Sequence, residues 1–258
     1  MNILIVEDRP IFQEILKKII ADWFPSTTVV CAADGAAAMR NLTSQLFTHL
    51  LLNLQLDDVD GFEVADAALK STPGIRIVAI TSYCDDYIVY RAEKRRFRGF
   101  LDQRMASAFN CHQAIANVEV DLSFFSPSFV QIKNERIRNP LSFDKILSAR
   151  EIEILELIAV PFNDQQISTT LGLSITTIKK HRFNILRKTG LDTTNDLVRY
   201  ARLRGIVLSL PALRRRFSKN YGTHRGDFTF AEQCSRWQTN LPQAAHEMKP
   251  HPTRLQVC

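Results

Sequence analysis

Five short apolar runs separated by amphipathic stretches fill the first 120 residues of this 258-residue chain, and that alternation restricts the fold more than any other feature. The runs cover residues 3–6, 28–31, 50–54, 75–81 and 99–101, and each reads as a strand. Between them, Ile11, Ile15, Leu16 and Ile19 recur at helical spacing, as do Phe62, Ala65, Ala68 and Leu69. Strand, helix, strand, helix is the order of a parallel sheet covered on both faces. The expected fold of residues 1–120 is therefore an α/β doubly wound parallel five-stranded sheet. In such sheets the functional crevice lies beyond the carboxyl ends of the strands. Those ends carry Glu7 and Asp8 on the first strand, Asn53 on the third, Thr81 and Ser82 on the fourth, and Gln103 after the fifth.

The chain is long enough for a second domain. Its 45% hydrophobic and 23% charged residues lie close to ordinary globular composition, so both halves can form cores. No apolar run approaches the roughly 18 residues that cross a bilayer, and the N-terminus shows neither a basic leader nor a small-residue cleavage site. These features predict a soluble, cytoplasmic protein without a membrane partner. The five cysteines are scattered and form no CxxC pair, which disfavours a disulfide framework or a ribbon-type zinc site. The net charge of +6 is unevenly placed. Residues 1–120 hold 12 basic and 15 acidic residues, whereas residues 147–207 hold 9 and 6 and residues 208–258 hold 8 and 3. A basic C-terminal half points to a polyanionic partner.

The strand-end residues, with residues 3–8 and 54–61, resemble the receiver domain of two-component response regulators over about residues 1–120. The resemblance implies an acidic pair holding magnesium, a phosphoaccepting aspartate ending the third strand, a hydroxyl on the fourth and a lysine after the fifth. Glu7, Asp8 and Thr81 match that pattern. The acceptor position holds Asn53 and the lysine position holds Gln103. An amide offers no nucleophilic carboxylate oxygen, and it is a weak magnesium ligand. Loss of the lysine removes a cation that would neutralise an incoming phosphoryl group. A degenerate site follows, a pseudo-receiver without aspartyl phosphorylation or any other catalysis, and Glu7 and Asp8 are left as the weak candidates for magnesium. Asp57, Asp58 and Asp60, in the loop after Asn53, are read as solvating that loop and capping the next helix. Phe100 falls where the resembling family has an aromatic that changes rotamer, although a buried aromatic in a sheet is ordinarily core.

Residues 121–146 contain Pro127 and Pro140 without a clean period and read as a linker, with a short helix inside it as the open alternative. After it, Ser148 and Glu151 have the spacing of a capping box, with Ile152, Leu155 and Ile158 along one helical face. Pro161 is expected to stop this helix, Asn163 or Asp164 to cap the next, and Gly172 to end that one. Ser174 caps a third helix to about residue 189, with Ile178, Ile185 and Leu186 on one side and Lys180, Phe183, Asn184 and Arg187 on another. This all-α, four-helix helix-turn-helix arrangement resembles the LuxR-type domain of NarL/FixJ-type regulators over residues 147–207. The resemblance implies double-stranded DNA as the partner.

Along the third helix, its N-terminus with Thr176, Thr177, Lys179 and His181 can position phosphates. Lys180, Asn184 and Arg187 can reach base edges, and Lys188 adds to the basic face. Two departures from the pattern are Pro161, where a glycine is common, and the outward Phe183. A fourth helix over about residues 194–203 carries Leu197, Val198 and Ala201. In the resembling family this helix pairs two copies, which implies a homodimer at least on DNA; packing within the chain is the open alternative. Residues 208–258, with Arg214, Arg215 and Arg216 and four prolines, read as a disordered basic tail. Cys234, His246, His251 and Cys258 are too irregularly spaced for zinc. The expected function is a DNA-binding transcription regulator whose receiver serves as a dimerisation module or takes an unknown ligand or protein partner. The competing expectation is an antagonist that heterodimerises with another response regulator.

Overall fold

The structure, a computed structural model, describes residues 1–160 and 162–206. Six strands form one parallel sheet: β1 (Asn2–Val6), β2 (Thr28–Ala32), β3 (His49–Leu52), β4 (Arg76–Thr81), β5 (Gly99–Asp102) and β6 (Phe124–Phe125). Their order is β2-β1-β3-β4-β5-β6. Side chains alternate across the sheet with the two-residue strand period. Leu4 and Val6 of β1, Leu50 and Leu52 of β3, and Ile77 and Ala79 of β4 enter one core, beneath α2 (Gly35–Ser44), α3 (Gly61–Ser71) and α4 (Asp86–Lys94). Ile3, Ile5, Leu51, Val78 and Ile80 enter the opposite core, beneath α1 (Pro10–Trp23) and α5 (Ala108–Glu119). Burial on both faces explains why the strands read as continuous apolar runs. Helix α1 sits rotated from the expected register. Leu16, Ile19 and Ile20 are buried, whereas Ile11 and Ile15 are 66% and 47% exposed.

Residues 121–146 are not a tether. They supply β6, which pairs in parallel with β5, followed by α6 (Pro127–Arg138) and α7 (Phe143–Ile146). Irregularly spaced aromatics hold the segment down. Phe129 is buried 4.8 Å from the Phe100 ring and 4.6 Å from that of Phe125. Phe143 lies edge-on to Tyr87 and Tyr90 at 5.8 and 5.2 Å. Because each ring fills a separate slot, the stretch carries no single period for a sequence pattern to reveal. Arg136, nearly buried, joins Asp144 at 2.9 Å, Asp86 at 3.5 Å and Glu93.

The C-terminal helices are α8 (Ala149–Ala159), α9 (Asp164–Leu171), α10 (Ile175–Thr189) and α11 (Thr194–Leu203). Ser148 and Glu151 close the capping box expected of them, and Asn163 and Gln166 form a second. Gly172 and Gly190 end α9 and α10 in the left-handed conformation. Pro161 and residues 207–258 lie outside the described residues, and with them the helix-stopping role given to Pro161, the tail arginines and the cysteine and histidine pairs. This helical domain meets the sheet domain at the N-terminal end of α4. There the Tyr87 amide donates to the Arg204 carbonyl at 3.0 Å, Arg204 pairs with Asp86 at 3.0 Å, and the Tyr87 hydroxyl donates to Glu156.

Candidate nucleic-acid interface and receiver site

The carboxyl ends of β1, β3, β4 and β5 converge on one polar cluster. The Asn53 backbone amide donates to the Val6 carbonyl at 2.8 Å, which sets its side chain beside those of Glu7 and Asp8. The Gln55 backbone amide donates to Asn53 Oδ1 at 3.0 Å and so fixes the orientation of the side-chain amide. Its Nδ2 therefore faces the acids, donating to Asp8 at 3.1 Å and Glu7 at 3.4 Å. Gln103 is oriented in the same way, since its Oε1 accepts from Arg9 at 2.7 Å and from Ser82 Oγ at 2.6 Å. Its Nε2 then donates to Glu7 at 3.3 Å. Arg9 closes the network with a 2.8 Å bond to Glu7, which holds the guanidinium pKa above its ordinary value.

Arg9 was not among the expected site residues, and Ser82 was named as a strand end but not as the site hydroxyl. Arg9 follows the acidic pair directly, and that position was its available signal. Ser82, not Thr81, supplies the hydroxyl of the network: Thr81 is fully buried and accepts from the Tyr83 amide at 3.3 Å. These residues do not fit magnesium. The acids already bind N–H donors from Asn53, Gln103 and Arg9, whereas a hard cation needs free anionic oxygens. Among the described residues no group of three or more histidine, cysteine or acidic side chains is placed to hold a metal.

Two of the three loop acids are structural, and Asp57 is exposed. Asp58 accepts from the amides of Gly35 and Ala36 at 2.9 and 2.8 Å, at the start of α2. Asp60 caps α3 and pairs with Arg91 at 2.8 Å. Phe100 is fully buried against Phe129.

In the helical domain, Ile178 and Ile185 are fully buried and anchor α10, and Ser174 caps it through the Thr177 amide at 3.1 Å. The opposite face carries Thr176, Lys180, Phe183 and Arg187, all exposed, at intervals of four, three and four residues. Lys179 is exposed beside this line and Asn184 is half-buried at its other edge. The remaining expected residues turn elsewhere. The Thr177 hydroxyl lies 2.8 Å from Ser174 Oγ, and His181 is half-buried with Nδ1 sealed from solvent. Lys188 reaches back to the buried Glu151 at 2.7 Å, so its charge is used inside the domain instead of joining the outward face. In α11, Leu197 and Ala201 are fully buried and Val198 half-buried, with α8 as the packing partner. Of the two roles open to that apolar stripe, this arrangement uses the intrachain one.

Comparison with known proteins divides the chain at the same place. A model of the response regulator receiver domain matches residues 3–112, and one of bacterial regulatory proteins of the luxR family matches residues 145–201. The chain is 31% identical over 201 residues to the response regulator protein VraR of Staphylococcus epidermidis, covering 78% of this chain and 96% of VraR. VraR of Staphylococcus saprophyticus is 32% identical over 152 residues, 59% of this chain and 72% of that protein. Among solved structures, RcsB from Salmonella enterica serovar Typhimurium, bound to promoter P1flhDC in the presence of the phosphomimetic BeF3−, shares the fold. Its TM-score is 0.55 at 22% identity, over 78% of this chain and 97% of that one.

Proposed function

Because this chain belongs to the response regulators that join a receiver domain to a LuxR-family domain, we propose that it is a sequence-specific, DNA-binding transcription regulator that works without aspartyl phosphorylation. The observation that carries the reading is the solvent-facing line of Thr176, Lys180, Phe183 and Arg187 on a helix whose other side is anchored by Ile178 and Ile185. A rigid helix with an outward basic line suits the major groove. Lys180, Asn184 and Arg187 are the base-edge candidates, and Thr176 and Lys179 are placed for phosphates. At the receiver, the Asn53 amide and the Arg9 guanidinium occupy the acids that phosphoryl transfer would need. The receiver then acts by pairing or by binding a ligand or partner, with no enzymatic step and no resident cofactor. We place the protein in the cytoplasm, acting on double-stranded DNA as a homodimer. The exposed Ile11 and Ile15 of α1 and Phe109 of the neighbouring α5 offer apolar surface for a second copy.

The test is footprinting of genomic fragments by the purified full chain without any phosphodonor, across a salt series. Protected sites whose affinity falls steeply with salt are the expected result. Absence of binding at low salt, with capture of another response regulator, would replace this reading with that of an antagonist.

A further inference from the structure

Residues 1–120 carry more acidic than basic side chains, yet five of their twelve cations line one cleft. The cleft, about 600 Å³, lies at the opposite end of the sheet from Asn53, where α3 and α4 run into β4 and β5. Arg76, Lys94, Arg95, Arg96 and Arg98 face two acids, Asp66 and Asp121, which leaves the lining three charges positive. The acids fix two of the cations. Arg95 pairs with Asp66 at 2.7 Å, and Arg76 with Asp121 at 3.1 Å. Lys94 leans on the Tyr90 ring at 5.5 Å. Arg96 and Arg98 are exposed, and among the described residues neither has a hydrogen-bonded acid.

The backbone of the cleft is also unusual. Among the described residues only two besides glycine have positive φ, Arg96 at 54° and Asp121 at 60°, and both line this cleft. Arg96 follows the end of α4, at the turn position where glycine or asparagine is the ordinary solution. An arginine there costs about 1 kcal/mol of local strain. Strain of this kind gathers where a side chain is needed for binding. The apolar lip is formed by Leu69 and Pro73 over the buried Ile75, with open space beside Gly74.

We propose that this cleft binds a small phosphorylated ligand carrying at least two phosphate groups. Two exposed guanidiniums, Arg96 without an acid partner and Arg98 held only by the field of Asp121, on a surplus of three positive charges match a diphosphate better than a single phosphate, and guanidiniums bind phosphate oxygens in bidentate fashion. The volume falls within the range of small-molecule sites and leaves room beyond the phosphates for a group resting on the lip. Helix α4 runs from this cleft to the contact with the helical domain, since Lys94 lies at one end and Asp86 and Tyr87 at the other. Occupancy can thereby bias that contact in a receiver without a phosphoacceptor.

Titration calorimetry of the full chain with pyrophosphate, at constant ionic strength and with sulfate as the control anion, tests the proposal. Arg96→Gly keeps the turn and removes a cation, so the double variant Arg96→Gly, Arg98→Gln should melt no lower than the parent while binding pyrophosphate at least about tenfold more weakly. Lys180→Ala should bind pyrophosphate as the parent does while losing DNA affinity, which separates failure of this site from failure of the DNA-binding reading. Adenosine diphosphate binding more tightly than pyrophosphate would place a nucleoside on the lip, and equal affinities would make the diphosphate the recognised unit. The proposal is overturned by no pyrophosphate heat into the millimolar range, by a double variant that binds like the parent, or by sulfate competing equally. Loss of DNA binding in the double variant without change in pyrophosphate affinity would instead assign the cleft to nucleic-acid phosphates.

Discussion

The Nδ2 of Asn53 donates to Asp8 Oδ1 at 3.1 Å, so the group standing at the acceptor position binds the acidic pair as an internal donor. Its hydrogen bonds and the positive charge of the Arg9 guanidinium together hold the carboxylates that a metal ion would otherwise hold. The parent chain should therefore show no change in melting temperature on adding magnesium chloride and no label uptake from radiolabelled acetyl phosphate. Arg9→Ala combined with Asn53→Asp frees three carboxylates and should become less stable by about 1–3 kcal/mol without magnesium, with part of the loss restored by it. Label uptake by the parent that Asn53→Ala removes would sink this account.

Two lysines of α10 should fail in different ways. Lys180 is exposed on the outward line, and Lys180→Ala is expected to weaken DNA binding while changing the urea midpoint little. If its contact is to a phosphate, the salt dependence of binding should fall by about one unit of slope; a base contact would instead relax sequence preference at one position. Lys188→Ala leaves the buried Glu151 without its ammonium partner and should cost about 1–3 kcal/mol of domain stability. Equal effects of the two variants on both measurements would contradict the orientation given to α10.

Gly205 approaches Asp85 too closely for any side chain. Its φ is 70°, and a Cβ there would lie 2.1–2.3 Å from the Asp85 carboxyl atoms. Gly205→Ala should thus displace the Asp85 side chain from the Ile88 amide that it caps, at a combined cost of about 2 kcal/mol from backbone and cap. Faster hydrogen exchange at residues 85–89 and easier proteolytic separation of the domains are expected, with the sheet amides unchanged. Unaltered exchange at those residues would refute the role of this glycine.

Asp85 also gives the contact a pH dependence. Burial pushes its carboxyl up to about 6, against the opposing pull of the Ile88 and Tyr87 amides, with Asp86 adding to the rise. A carboxyl whose folded pKa is raised favours folding below its unfolded value near 4, and that advantage is lost as pH climbs through 6. Asp85→Asn retains the cap without the titration, so it should gain on the parent by on the order of 1–2 kcal/mol between pH 4 and 7. His49, lowered to about 4 chiefly by burial, works in the opposite sense as pH falls from 6.5, but it is common to both proteins and cancels in the comparison. Parallel urea midpoints across that range would rule out Asp85 as the titrating group.

Strand positions and helix caps were legible because each depends on local spacing. Ser148 with Glu151 and Ser174 at the head of α10 behave as their neighbours in sequence require. The place of Asn53 at the end of β3, among the other strand-end residues, was legible for the same reason. What occupies that place depends on side chains 94 residues apart meeting across the sheet, and no period marks Arg9 for Gln103. Lys188 looked like part of the basic face because charge says nothing about direction; its partner lies 37 residues earlier on α8. The segment after residue 120 was misread for a related reason. Its anchors enter three different places, Phe124 the core under α1 and α5, Phe125 and Phe129 stacked together in the opposite core, and Phe143 against Tyr87 and Tyr90, so long-range packing supplies an order that local pattern lacks.

That segment also determines where the gene can be cut. A receiver fragment stopped at residue 120 would lose β6 and bare the Phe100 face that Phe129 covers, so a self-sufficient piece must run through Arg138, the last residue of α6. Recombining these domains with those of relatives calls for a junction within 139–142, just before Phe143 commits the chain to the Tyr87 and Tyr90 rings.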